Sequence, residues 1–223
     1  MKNLITSLLV AVGTWGSAQV FSAEYLVQKD KNQQVFVLDI DKNKSLFYSD
    51  EYCAEDEESG VDNPLLVQKK NDKVLVFGDI EDLKVYFPLN INLKWNLLHE
   101  QKQIQGTSLK KAVVTYKNKE WTAWYNPEMS ISEGPFVFSK LPGFIYEIET
   151  DGLKISLTSI NKNIKKCVEA STKAKLTTKE NYDKAIKDQM EEMKKFFGGQ
   201  LDDMGNHSVQ SVINDSFQRD LLK

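Results

Sequence analysis

The constraint that bears hardest on the fold is a period of two. From Ala23 to about Ile160 the chain consists of short runs rich in Val, Ile, Phe, Tyr and Trp, separated by polar turns. Gln34–Ile40, Ser45–Tyr48, Lys73–Phe77 and Leu83–Phe87 are such runs. Leu93, Trp95 and Leu97 alternate with Lys94 and Asn96, the pattern of a strand with one face buried. Ala112–Tyr116 and Trp121–Tyr125 flank a polar stretch in which Asn118 tolerates positive φ, so the pair reads as a hairpin. Phe144–Glu149 and Leu153–Thr158 join across Asp151-Gly152, the strongest hairpin signal in the chain. A parallel sheet would need helices between its strands, and no helical period separates these runs. The expected fold class is therefore mainly β (α+β), a single antiparallel, curved or partly closed β-sheet.

The period changes after Leu176. Thr177-Thr-Lys-Glu180 fits a capping box, in which a Thr177 hydroxyl accepts a helix-end N–H and Glu180 reaches back. Tyr182, Ile186, Met190, Met193 and Phe197 then recur every three or four residues, and Gly198-Gly199 supplies the stop. An amphipathic helix over about 177–197 is expected, its Met-aromatic stripe facing the core. With no internal repeat and no low-complexity linker, residues 19–199 read as one domain. The polar tail 200–223 carries at most a weak second helix.

The first residues supply an address. Lys2, the short apolar run Leu4–Val12 and the small residues Gly16-Ser17-Ala18 form a secretory signal peptide, residues 1–18, with cleavage expected after Ala18. The run is far shorter than the ~20 residues of a membrane span, and no later segment reaches that length. The expected location is secreted or periplasmic. In such a compartment Cys53 and Cys167, the chain's two cysteines, are a possible disulfide. A net charge of −3 does not mark the whole chain as a nucleic-acid binder.

Searches for catalytic chemistry return little. There is no nucleotide-binding Gly loop and no Gly-x-Ser-x-Gly elbow. His99 and His207, the only histidines, are not in a paired metal spacing; His99 reads as a surface strand end. Asp39–Asp50 loosely imitates a calcium loop, but Lys44 stands where Gly is required, Asp50 where a bidentate Glu belongs, and no helices flank it. It reads as strand, turn, strand. The acidic run Glu55–Glu58 reads as a solvated loop. No metal site and no cofactor is expected. The aromatic residues are the candidate binding group: Trp95, Trp121, Trp124, Tyr125 and Tyr146. In an alternating strand Trp121 and Tyr125 share one side and Trp124 takes the other. Such residues either pack a core and a hairpin ladder or line a cleft.

Residues 126–143 carry Pro127, Pro135 and Pro142, which cannot donate to a ladder, so this stretch is not a central strand. Gly134-Pro135 makes one corner. Leu141-Pro142-Gly143-Phe144 has the type II turn signature, and it aims the chain into Phe144-Ile145. Asn126–Phe136, with Gly134 and Pro135, followed by Lys140-Leu-Pro-Gly-Phe-Ile145, resembles the signature region of the GLPGLI family, secreted or periplasmic proteins of Bacteroidetes. The resemblance spans roughly Trp95–Glu149. Lys140 and Phe144 depart from the family hexapeptide, and Leu109 stands where a family Cys is expected, which bears on any family disulfide. The resemblance implies an envelope location and brings no catalytic residues with it. The expected function is a non-enzymatic envelope protein that binds an unknown ligand or protein partner, with no nucleic acid. A hydrolase using Glu120, Glu128 or Glu133, and a structural or assembly role at the outer membrane, are the alternatives.

Overall fold

The computed structural model describes residues 20–42, 44–50, 66–80, 82–104, 106–165 and 170–196; the side chains of Met190, Met193, Lys194 and Phe196 are not described. The segment 1–18 expected to be a signal peptide, Cys53, Cys167, the acidic run Glu55–Glu58, His207 and the tail 200–223 lie outside these residues.

Two meanders make up the sheet. The first runs β1 (Val20–Lys29), β2 (Asn32–Asp41), β3 (Lys44–Ser49), β4 (Leu66–Lys70), β5 (Lys73–Ile80) and β6 (Leu83–Leu89). The second runs β7 (Asn96–Ile104), β8 (Thr107–Tyr116), β9 (Lys119–Asn126), β10 (Phe144–Thr150) and β11 (Leu153–Asn161). They meet where β1 pairs antiparallel with β11, and the 12-stranded order is β12-β6-β5-β4-β3-β2-β1-β11-β10-β9-β8-β7. The sheet does not close into a barrel. It is also mixed rather than wholly antiparallel, because the short β12 (Lys175–Leu176) pairs parallel with β6.

Local chemistry accounts for the turns. Lys117-Asn118 and Asn71-Asp72 both hold positive φ at two successive positions, the geometry of the tightest hairpins. The Asp39–Asp50 stretch folds as strand, turn and strand within β2 and β3. Two expectations shift. Residues 90–95 belong to no strand, and β7 begins only at Asn96. Leu93 and Trp95 still pack inward, whereas Leu97 is 51% exposed. His99 is exposed inside β7, at a register irregularity between Leu97 and Gln101, rather than at a strand end.

One face of the sheet carries the main core, including Tyr25, Phe36, Leu38, Phe47, Val76 and Phe87. The other face carries a smaller cluster of Val37, Leu46, Tyr48 and Leu66. The helix α1 (Lys179–Phe196) docks on the main core through Tyr182 and Ile186. Tyr182 lies against Phe87, ring centroids 5.2 Å apart, and over Gly78, where any Cβ would stand 2.5 Å from the tyrosine oxygen. The cap is one residue later than the capping box predicts. Thr178 Oγ1 accepts from the Asn181 N–H at 3.2 Å, while the Thr177 N–H is occupied by Tyr86 O of β6 at 2.9 Å. Thr177 is thus held to the sheet edge, and its neighbour caps. No described helix is long and apolar enough to cross a membrane.

Candidate functional site

The link between β9 and β10 is a plug. Its corners come from the backbone: the Phe138 N–H donates to Pro135 O at 3.1 Å, with Phe136 at φ 53°. The second bend is tighter than the type II turn expected. The Gly143 N–H donates to Leu141 O at 2.8 Å, closing a three-residue turn centred on Pro142. Lys140 N–H to Ser132 O, 2.8 Å, and Ile145 N–H to Glu133 O, 3.0 Å, pin the two arms together. This geometry drives Phe136, Val137, Phe138 and Leu141 onto the main core, where all four are fully buried. Apolar residues inside a Pro- and Gly-punctuated loop are the sequence signal for such a plug.

A buried cation clamps the loop to the other meander. Lys69 of β4 is 6% exposed. Its ammonium reaches Glu133 Oε2 at 2.6 Å, Gly134 O at 2.6 Å and Phe138 O at 3.3 Å. All three ammonium donors have acceptors, which is what a buried lysine requires. Ser45 donates to the same Glu133 oxygen at 3.1 Å, and the Tyr25 hydroxyl donates to Ile145 O at 2.6 Å. Burial first, and the Glu133 charge second, push the Tyr25 hydroxyl well above its ordinary range. Beside the clamp lies a cavity of about 230 Å³, lined by Lys69, Asp72, Ser132, Glu133, Ser139 and Lys140.

The candidate aromatic residues separate into two groups. Trp95 and Trp121 converge on Phe138, with ring centroids 6.3 and 4.7 Å from it. Tyr116, which the sequence reading did not single out, completes the cluster at 5.6 Å in an edge-on arrangement. Trp95 donates through Nε1 to Ser139 O at 2.9 Å. Tyr125 and Tyr146 belong to the same core; the Tyr146 ring stands edge-on to Phe144, and its hydroxyl points at Met129 Sδ, 3.7 Å away. Two donors in the Phe138 cluster have no acceptor: the Tyr116 hydroxyl and Trp121 Nε1, both buried. Val114 pairs with Trp121 across β8 and β9, so Tyr116 is the diagonal neighbour of Trp121 on one face. Each such orphan costs about 1–3 kcal/mol. Burial also pushes the Tyr116 hydroxyl up to about 12. Trp95 and Tyr116 are half-buried and bring this wall to the surface.

Trp124 lies on the opposite face. Lys102 and Lys111 stand over its ring, 4.4 and 5.9 Å from the centroid. Lys102 also bonds Glu147 Oε1 at 2.5 Å, and Lys154 takes Glu147 Oε2 at 3.0 Å. Burial raises the Glu147 pKa, but the hydrogen bonds and charges of the two lysines outweigh it and hold the carboxyl below its ordinary range. The three carboxylates of the hydrolase alternative do not converge: Glu120 and Glu128 are exposed, and Glu133 is held by Lys69 and Ser45. Among the described residues no group of three or more His, Cys, Asp or Glu could hold a metal ion.

Comparison with known proteins places part of this arrangement. A family described as "Protein of unknown function (Porph_ging)" matches residues 89–147, which span β7 to the start of β10 and contain the whole plug. No curated protein matches the sequence. Two solved structures of PNGF-II have a similar fold. For the P21 crystal form the TM-score is 0.60 at 17% identity, covering 76% of this chain and 33% of that one. For the C2 form the TM-score is 0.58 at 18% identity, with the same coverage of 76% and 33%. This chain spans about a third of the length of the PNGF-II chain it matches. Over the segment that builds the loop and its aromatic wall, the chain is thus similar to an uncharacterised family of the Porphyromonas gingivalis type, a likeness compatible with a Bacteroidetes family.

Proposed function

We propose that the protein is a non-catalytic, extracytoplasmic binding protein of the GLPGLI type, and that its ligand lies against the aromatic cluster of Trp95, Tyr116, Trp121 and Phe138. The observation that carries this reading is the pair of orphaned donors, Tyr116 OH and Trp121 Nε1, side by side on one wall. A neutral molecule with acceptor oxygens and an apolar face would stack on the half-buried rings of Trp95 and Tyr116 and reach the two buried donors once that wall opens. The family match over residues 89–147 and the hexapeptide Lys140–Ile145 support the GLPGLI assignment. The N-terminal eighteen residues support export and cleavage after Ala18, and export would let Cys53 and Cys167 pair. Residues 19–199 then act as one binding domain. Against the hydrolase alternative stands the placement of its carboxylates. Glu120 and Glu128 are exposed and Glu133 is held by Lys69 and Ser45, so none of the three is set up opposite another as an acid–base pair.

The test is native mass spectrometry of the protein recovered from its own cell envelope. The expected result is a processed chain beginning at Gln19 that carries a small-molecule adduct, lost in Trp121→Phe and weakened in Tyr116→Phe. A wild-type protein without adduct, or equal adduct in both variants, refutes the site; an uncleaved cytosolic product refutes the location.

A further inference from the structure

A second site is written into the pairing register of the first meander, on the face of β4 opposite Lys69 and the plug. Lys44 of β3 faces Lys70 of β4, and Lys70 faces Lys73 of β5. Directly opposed residues point to the same side of a sheet, so three ammonium groups stand in one row across three strands. Neighbouring strands are about 4.8 Å apart, so the row spans about 10 Å. Asp41, which faces Lys44 from β2, is the one carboxylate in the row beside them. Among the described residues no ion pair joins Lys44, Lys70 or Lys73 to a carboxylate. The neighbouring lysines, by contrast, are matched: Lys69 to Glu133 at 2.6 Å and Lys140 to Asp72 at 2.9 Å.

Like charges set directly opposite each other in a sheet are destabilising. Here the arrangement occurs twice in succession, on a hairpin whose Asn71-Asp72 turn fixes the register and prevents the strands from sliding apart. Lys70 and Lys73 are exposed and Lys44 is half-buried, so the row is open to solvent. The 230 Å³ cavity lies on the other side of this hairpin end, with Lys69 and Glu133, so the row meets its ligand at the open face of the sheet.

We propose that the Lys44–Lys70–Lys73 row is a binding site for phosphate groups, two of which fit along its length. The anion relieves the cross-strand repulsion and draws on the unmatched charge. The site is independent of the aromatic wall, since no residue is shared between them.

The experiment is thermal unfolding of the intact protein in millimolar pyrophosphate, against chloride at equal ionic strength. Wild type should rise by several degrees, as expected for a ligand that binds only the folded state. Lys70→Gln removes the central charge from an exposed position, so folding is retained. It should start above wild type in chloride, because the repulsion is gone, and gain little from pyrophosphate. Vesicle sedimentation then assigns the source of the phosphate. Pelleting with phosphatidylglycerol but not phosphatidylcholine vesicles, abolished in Lys70→Gln, places it on a lipid. A pyrophosphate response without pelleting places it on a soluble molecule. No pyrophosphate response in wild type, or an equal response in Lys70→Gln, overturns the proposal.

Discussion

Gly134 and Gly143 of the plug, set against Gly106 between β7 and β8, separate two ways in which a missing side chain shapes the chain. At Gly106, φ is 78° and an added Cβ meets nothing within 4 Å. Gly106→Ala therefore incurs backbone strain alone, about 1 kcal/mol. Gly134 has no positive φ, but a Cβ there would stand 2.6–2.9 Å from three carbons of the Ile145 side chain, including its own Cβ at 2.7 Å. That atom cannot swing away, so Gly134→Ala overpacks the seam between loop and strand and costs roughly 1–3 kcal/mol. Gly143 combines both effects. Its φ is 150°, and a Cβ would sit 2.2 Å from Asn126 O and 2.9 Å from Pro127 Cα, both backbone atoms at the end of β9. Adding strain to a clash that only backbone movement relieves gives about 3–5 kcal/mol. For a domain of this size 1 kcal/mol moves the melting temperature by about 2–4 °C. Calorimetry should therefore place Gly106→Ala within a few degrees of wild type, Gly134→Ala lower, and Gly143→Ala lower by roughly 10 °C or more. If Gly143→Ala melted with Gly106→Ala, the close approach of the Pro-Gly bend to β9 would not be a determinant of stability.

Two further predictions test the charges. Lys69→Met should cost roughly 2–3 kcal/mol in urea unfolding, since it strands Glu133 and two loop carbonyls. Lys69→Met with Glu133→Leu should recover at least ~1 kcal/mol of that loss, and strict additivity would mean that the pair is not coupled. Glu147, whose folded pKa is held below its ordinary value of 4.5, contributes stability that is fully present above that value and is lost as pH falls through the folded pKa. With its lysines partly exposed, Glu147→Gln should cost about 1–2 kcal/mol at neutral pH. The gap to wild type should close as the pH drops below 4.5, and a gap that persisted in acid would point to packing rather than charge.

The strands and hairpins were legible because their signal is local. Lys117-Asn118 and Asp151-Gly152 announce turns within four residues, and the alternation of Trp121, Ala123 and Tyr125 assigns a buried face. Features that depend on a distant partner were not legible. Thr177 and Thr178 are equivalent as caps until β6 claims the first one's N–H. Nothing near Lys69 says that a lysine two residues from Val67 points inward, because its reason is Glu133, more than sixty residues away. Trp121 was singled out for its type, but its neighbour Phe138 comes from a loop whose path only the three-dimensional bend reveals. Tyr116 was read as a strand residue, and its orphaned hydroxyl appears only once β8 is set beside β9.

The seam between β1 and β11 has a consequence for how the molecule assembles. Every other antiparallel contact joins strands adjacent in the chain, so each meander grows by local closures, the plug between β9 and β10 being one of the longer ones. Among the antiparallel pairings the seam is the one that joins segments distant in the chain, such as Val27 and Ile155. Its closure entropy makes it the slow step, and until residues near Asn161 have left the ribosome the central strand β1 has an uncompleted edge. Substitutions in that strand should therefore register in refolding rates more than in unfolding rates.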